Sequence, residues 1–79
     1  MARVLLFGPL RDIAGWRERE VDASSVAALR IALANEDSAL GEALHGPGVQ
    51  VAVDQSITRA DVGLNDNSEV AFLPPMSGG

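Results

Sequence analysis

The first apolar block of the chain, RVLLF at residues 3–7, has no polar position after its arginine. A run that short and that apolar predicts a strand with apolar neighbours on both faces, inside a sheet. GPLRDIAG follows. Pro9 suits the first position of a short helix, Leu10, Ile13 and Ala14 fall on one side of it, and Gly15 stops it. After Trp16 the charges alternate through REREVD, which fits a strand at a solvent-exposed sheet edge. Ser24 or Ser25 can cap a longer helix in which Val26, Leu29 and Leu33 form one buried stripe. A second short helical piece carries Leu40 and Leu44 and is broken by HGPG. Val49, Val51 and Val53 then alternate with Gln50, Ala52 and Asp54, the period-two pattern of a half-buried strand. The run NDNS at residues 65–68 reads as a turn built from residues that tolerate positive φ, and it feeds a last strand over residues 69–73.

The order is strand, short helix, edge strand, main helix, strand, turn, strand, tail. The arrangement that buries these stripes is an α+β domain: a mixed sheet of four to five strands packed on one main helix. This is a β-grasp (ubiquitin-like) layout, with residues 1–73 as the domain and residues 74–79 as an extended C-terminal tail. Strand alternation then divides the sheet's two faces. If Val4, Leu6, Val70 and Phe72 face the helix, Leu5, Phe7, Ala52, Ala71 and Leu73 lie on the other side as an apolar patch rimmed by charge. A patch of that kind is expected to be a partner surface.

The tail reads PPMSGG. Extended, its residues reach about 20 Å. Pro74 and Pro75 stiffen its first part toward polyproline II, which is expected to hold it off the body. Met76 and Ser77 follow. Gly78 and Gly79 remove side chains where the backbone would have to thread a narrow channel. A docking face beside a projecting thread is what presentation of a C-terminus requires.

Composition narrows the chemistry. With 47% hydrophobic and 22% charged residues, the chain has the make-up of one compact domain. No apolar run approaches the ~20 residues of a bilayer span, and the first residues lack a signal sequence's apolar core. No membrane association and a cytoplasmic location are therefore expected. The net charge of −5 disfavours nucleic acid and suits a basic protein partner. There is no cysteine, so neither a disulfide, a thiolate metal site nor a thiol nucleophile is available. There is also no lysine, all six basic residues being arginine. His45 stands alone in its loop, no His or Cys cluster offers a metal site, and GPG at residues 46–48 lacks the lysine and spacing of a phosphate loop. Such a chain is not a self-sufficient enzyme. One reactive group remains, the α-carboxylate of Gly79, ionised at neutral pH with a reference pKa of about 3.3–3.7. A carboxylate resists acyl substitution until activated. Its attack on the α-phosphate of ATP would give an acyl-adenylate, and a sulfur donor could turn that into a thiocarboxylate. The chain itself would bind no cofactor: ATP and Mg would belong to the activating partner.

Three stretches carry a resemblance that covers essentially the whole chain: FGPLRDIAG, with Phe7, Arg11 and Gly15; VAVDQS from Val51; and, above all, LNDNSEVAFLPPMSGG from Leu64 to the end. On these the sequence resembles the small, sulfur-carrying subunit of molybdopterin synthase, a β-grasp protein of molybdenum cofactor biosynthesis. The departures are mild. Asp12 stands where the family commonly has Glu, and Met76 where a smaller apolar residue is usual, which bears on how tightly the tail fits its channel. The resemblance implies a cycle in which a ubiquitin-activating-type adenylating enzyme activates Gly79 with ATP and Mg and a sulfurtransferase makes the thiocarboxylate. The tail then enters the large synthase subunit, which supplies the catalytic side chains, and sulfur passes to a cyclic pyranopterin phosphate. The implied assembly is a heterotetramer with a large-subunit dimer at its centre. A thiamine-pathway sulfur carrier shares fold, tail and activation chemistry, but FGPLRD and PPMSGG favour the molybdopterin branch. A ubiquitin-like modifier is a further alternative; without lysine, this chain could not form side-chain-linked polymers of itself. An interaction module with an idle tail is the remaining one.

Overall fold

The computed structural model describes residues 1–75. In chain order the elements are β1 (Ala2–Leu6), α1 (Pro9–Ala14), β2 (Glu18–Val21), α2 (Val26–Glu36), α3 (Ser38–Leu44), β3 (Gln50–Val53), β4 (Ser56–Thr58) and β5 (Glu69–Leu73). The five strands form one sheet in the order β2-β1-β5-β3-β4. β1 and β5 are parallel, and every other pairing is antiparallel. The β-grasp expectation therefore holds, with β5 at the centre of the sheet and β2, as its charge alternation predicts, at an edge.

All three helices pack on one face. Leu10 of α1, Val26, Leu29 and Leu33 of α2, and Leu40 and Leu44 of α3 join Val4, Leu6, Val21, Val51, Val70 and Phe72 in a single core. Local chemistry starts and stops these helices. Gly15 takes the left-handed conformation at the end of α1, and its N–H donates to the Arg11 carbonyl. The Ser25 hydroxyl accepts from the Ala28 N–H at 3.1 Å, and the Asp37 carboxylate accepts from the Leu40 N–H at 3.2 Å, so both α2 and α3 begin on capped turns. Gly41 of α3 lies against Ala34 of α2: a Cβ added at Gly41 would fall 2.5 Å from the Ala34 Cβ.

Three features depart from the sequence expectation. β1 begins and ends one residue earlier than residues 3–7, burying Ala2 and leaving Phe7 just beyond the strand. β4 was not expected as an element of its own. It forms because Asp54 and Gln55, at φ 50° and 71°, make a two-residue turn that folds residues 56–58 back along β3. Conversely, the 65–68 loop contains none of the positive-φ residues that its composition suggested. Its side chains turn it instead: the Asn65 carboxamide oxygen accepts from the Asn67 N–H at 2.8 Å and the Ser68 hydroxyl accepts from the Asn65 N–H at 2.9 Å.

Candidate functional site

The face of the sheet opposite the helices is uncovered among the described residues, and its register sorts it into a charged and an apolar half. Near the start of β1, Arg3 lies between Glu20 and Glu69 and donates to Glu69 at 2.9 Å. One row further on, Glu18, Leu5, Ala71, Ala52 and Ile57 stand side by side across all five strands. Continuing the β1–β5 register places Phe7 beside Leu73. The five residues expected to form an apolar patch are thus brought together on one face, and the apolar half lies at the end from which β5 runs out.

Their exposure is uneven. Phe7 is 43% exposed, whereas Ala52 and Ala71 retain only 7% and 9%; Leu5 and Leu73 are half-buried. The two alanines are short side chains between larger ones, and they make a floor rather than a contact. Ile57, 53% exposed, completes the row from β4 and was missed in the sequence. Its only signal is that the period-two alternation of β3 resumes after the two-residue turn.

At the same end of the sheet the chain passes from Leu73 into Pro74 and Pro75. The two prolines themselves lie against the body. Pro74 is half-buried, close enough to Gly8 that a Cβ there would sit 3.0 Å from its Cγ, and Pro75 lies against Gly48. Met76, Ser77, Gly78 and Gly79, the expected threading and reactive residues, lie outside the described residues.

On the helix side, a cleft of about 490 Å³ opens between the start of α2 and β3–β4, lined among others by Val26, Arg30, Val51, Thr58, Arg59 and Asp61. Most of its polar groups hold the fold together. The Asp61 carboxylate accepts from the Ala27 N–H at 2.9 Å. Arg30 donates to the Leu44 carbonyl at 3.0 Å and lies over the Phe72 ring, 5.5 Å from its centroid. His45 is an exposed residue at the end of α3. Among the described residues no group of three or more His, Cys, Asp or Glu side chains could hold a metal ion, and no helix is long and apolar enough to cross a membrane.

Comparison with known proteins places this geometry. The model of the ThiS family matches residues 4–79. The chain belongs to the ThiS family. This ThiS-family chain is 37% identical to the molybdopterin synthase sulfur carrier subunit of Escherichia coli, over an alignment that spans all of both proteins. Its fold is similar to the solution structure of small archaeal modifier protein 1 from Methanosarcina acetivorans. That likeness has a TM-score of 0.86 at 23% identity and covers 99% of this chain and 95% of the other, which shows the shared fold. It is also similar to a chain in the protein–protein complex of subunits 1 and 2 of the molybdopterin-converting factor from Helicobacter pylori. There the TM-score is 0.74 at 25% identity, covering 99% of this chain and 97% of that one.

Proposed function

We propose that this chain is the sulfur-carrying subunit of a molybdopterin synthase. The observation that carries the reading is the 37% identity to the E. coli sulfur carrier subunit across the full length of both proteins. The geometry supports it: the central strand of the sheet runs out beside an uncovered apolar face, so a docked partner would receive the chain end at a defined place. The partner this reading calls for is the large synthase subunit, and the H. pylori complex of subunits 1 and 2 supports it.

In this reading the Gly79 carboxylate attacks the α-phosphate of ATP on a ubiquitin-activating-type enzyme with Mg, and pyrophosphate leaves. The terminal sulfur of a sulfurtransferase persulfide attacks the acyl carbon and displaces AMP, and a second thiol of the activating machinery then cleaves the resulting acyl disulfide, leaving a thiocarboxylate and a protein disulfide. The apolar face, through Leu5, Phe7, Leu73 and Ile57, docks on the large subunit while the tail enters it. There the sulfur passes to a cyclic pyranopterin phosphate, and hydrolysis returns the carboxylate. The chain's own share is to bear the acyl group and present it; the acid–base chemistry belongs to the large subunit.

Reconstitution tests this. The chain is combined with the large subunit, the activating enzyme, ATP, a sulfur donor and the cyclic pyranopterin phosphate. Full-length protein forms molybdopterin. A chain lacking Gly79, or one extended by a single residue after it, forms none, while both keep the wild-type melting temperature. Product at the normal rate from either altered chain would overturn the reading, and activity with a thiazole-forming system instead would move the chain to the thiamine branch.

A further inference from the structure

Two glycines flank the point where β5 ends, and the strand registers explain why. β1 and β5 run parallel with Leu6 beside Phe72, so two steps further on Gly8 is level with Pro74. β3 and β5 run antiparallel with Gln50 opposite Leu73, so two steps further out Gly48 is opposite Pro75. The prolines continue the line of β5 between two loops, but with no N–H to donate they end the hydrogen-bonded ladder. What holds them there is contact.

That contact leaves no room for a side chain. A Cβ at Gly48 would lie 2.6 Å from the Pro75 Cβ and 3.5 Å from its Cα, and one at Gly8 would lie 3.0 Å from the Pro74 Cγ. Both glycines have left-handed backbones, at φ 81° and 57°. Gly15 is left-handed as well, at φ 82°, yet nothing lies within 4 Å of the place its Cβ would take. A positive φ is thus common to the three, although Gly8 has ψ −137° where Gly15 has 12°, and the proline contact belongs to two.

We propose that Gly8 and Gly48 are positioning residues: together they form a side-chain-free collar that seats Pro74 and Pro75 and sets the direction in which the C-terminus leaves the body. This rests on the reading of Gly79 as the acyl-bearing end. Proline fixes φ near −65°, so a seated pair has only ψ left through which to yield, and displacement of Pro75 moves the point from which the chain continues. Gly79 is four residues past Pro75, a reach of at most about 13 Å, and a reacting atom misplaced by ~1 Å can cost on the order of a hundredfold in rate. Gly48 should matter more than Gly8. Its clash falls on the Cβ, next to the backbone, whereas that at Gly8 falls on the ring's far carbon, which can pucker away.

The test compares Gly48→Ala, Gly8→Ala and Gly15→Ala in the full chain. All three place alanine at positive φ, and Gly8→Ala and Gly48→Ala should lose more stability than Gly15→Ala, since Gly8 lies at ψ −137° rather than in the αL region of Gly15 and both meet a proline, so each kcat is measured well below that variant's own melting temperature. In the reconstituted synthase, Gly48→Ala should lower kcat by about tenfold to a hundredfold with KM unchanged, Gly8→Ala should lower it less, and Gly15→Ala should leave it at the wild-type value. Equal kcat for Gly48→Ala and Gly15→Ala overturns the proposal. A second readout needs no activity: nuclear Overhauser contacts between the Gly48 α-protons and the Pro75 ring. They should be present in wild type and Gly15→Ala, and the Pro75 signals should shift in Gly48→Ala alone. Their absence from wild type overturns the collar. If wild type itself makes no molybdopterin, the proposed function fails, and the collar is still decided by the Pro75 contacts.

Discussion

Asp54 and Gln55 carry the conformation that glycine usually supplies, φ 50° and 71° in consecutive residues. Asp54 gains from its position: its N–H donates to the Glu69 carbonyl at 2.8 Å and its carboxylate accepts from the Glu69 N–H at 2.9 Å, tying the β3–β4 turn to the start of β5. Gln55 makes no such side-chain bond among the described residues, so it bears the left-handed backbone without compensation. Gln55→Gly should therefore raise stability by about 0.5–1 kcal/mol, the strain relieved less the chain entropy that glycine adds to the unfolded state. Urea unfolding measures it, and an unchanged or lower midpoint would show the turn to be unstrained. This residue-scale feature was not legible in advance. Ser25 and Gly15 act on their own neighbours, and their roles as cap and stop follow from local chemistry. The Asp54–Gln55 turn is imposed by strands pairing on either side of it, and the pair DQ lacks the glycine that marks such a turn.

At the scale of elements, the two longer helices were legible because each carries its own stripe: Val26, Leu29 and Leu33 in one, Leu40 and Leu44 in the next, every one of them buried. β4 was not. Three residues carry too little period-two alternation to be read, and the strand exists because β3 offers it an edge. Nor does any pattern reveal how closely two helices approach. Gly41 is buried against Ala34, where an added Cβ would fall 2.5 Å from the Ala34 Cβ and 2.8 Å from its Cα. Gly41→Ala gains helix propensity, yet it must force α3 away from α2. The overpacking term should win, lowering stability by about 1–3 kcal/mol, read as a lower denaturation midpoint with the slope unchanged. A more stable variant would show that the interhelical contact relaxes freely.

For the whole molecule, alternation along three strands was enough to gather Leu5, Phe7, Ala52, Ala71 and Leu73 on one face, because a strand's two sides follow from parity alone. Burial within that face depends on side-chain size across the sheet, which is why Ala52 and Ala71 form the floor. The seating of Pro74 and Pro75 was equally hidden, since it needs Gly8 and Gly48 brought from distant parts of the chain. Phe7 stands outside the hydrophobic core and is exposed, so Phe7→Asp should leave the melting temperature nearly unchanged. It should weaken binding to the large synthase subunit by about 2 kcal/mol, as loss of an aromatic anchor does, measured by titration calorimetry. Wild-type affinity would remove this face from the interface.

Sulfur carriage by this chain turns on the chemical state of one carbonyl carbon. Intact-mass spectrometry of the chain co-produced with its activating enzyme and sulfurtransferase reads that state directly. The expected species has one oxygen replaced by one sulfur, with fragmentation locating the change at Gly79. A chain that keeps its original mass under those conditions, or that carries the sulfur anywhere else, would contradict it.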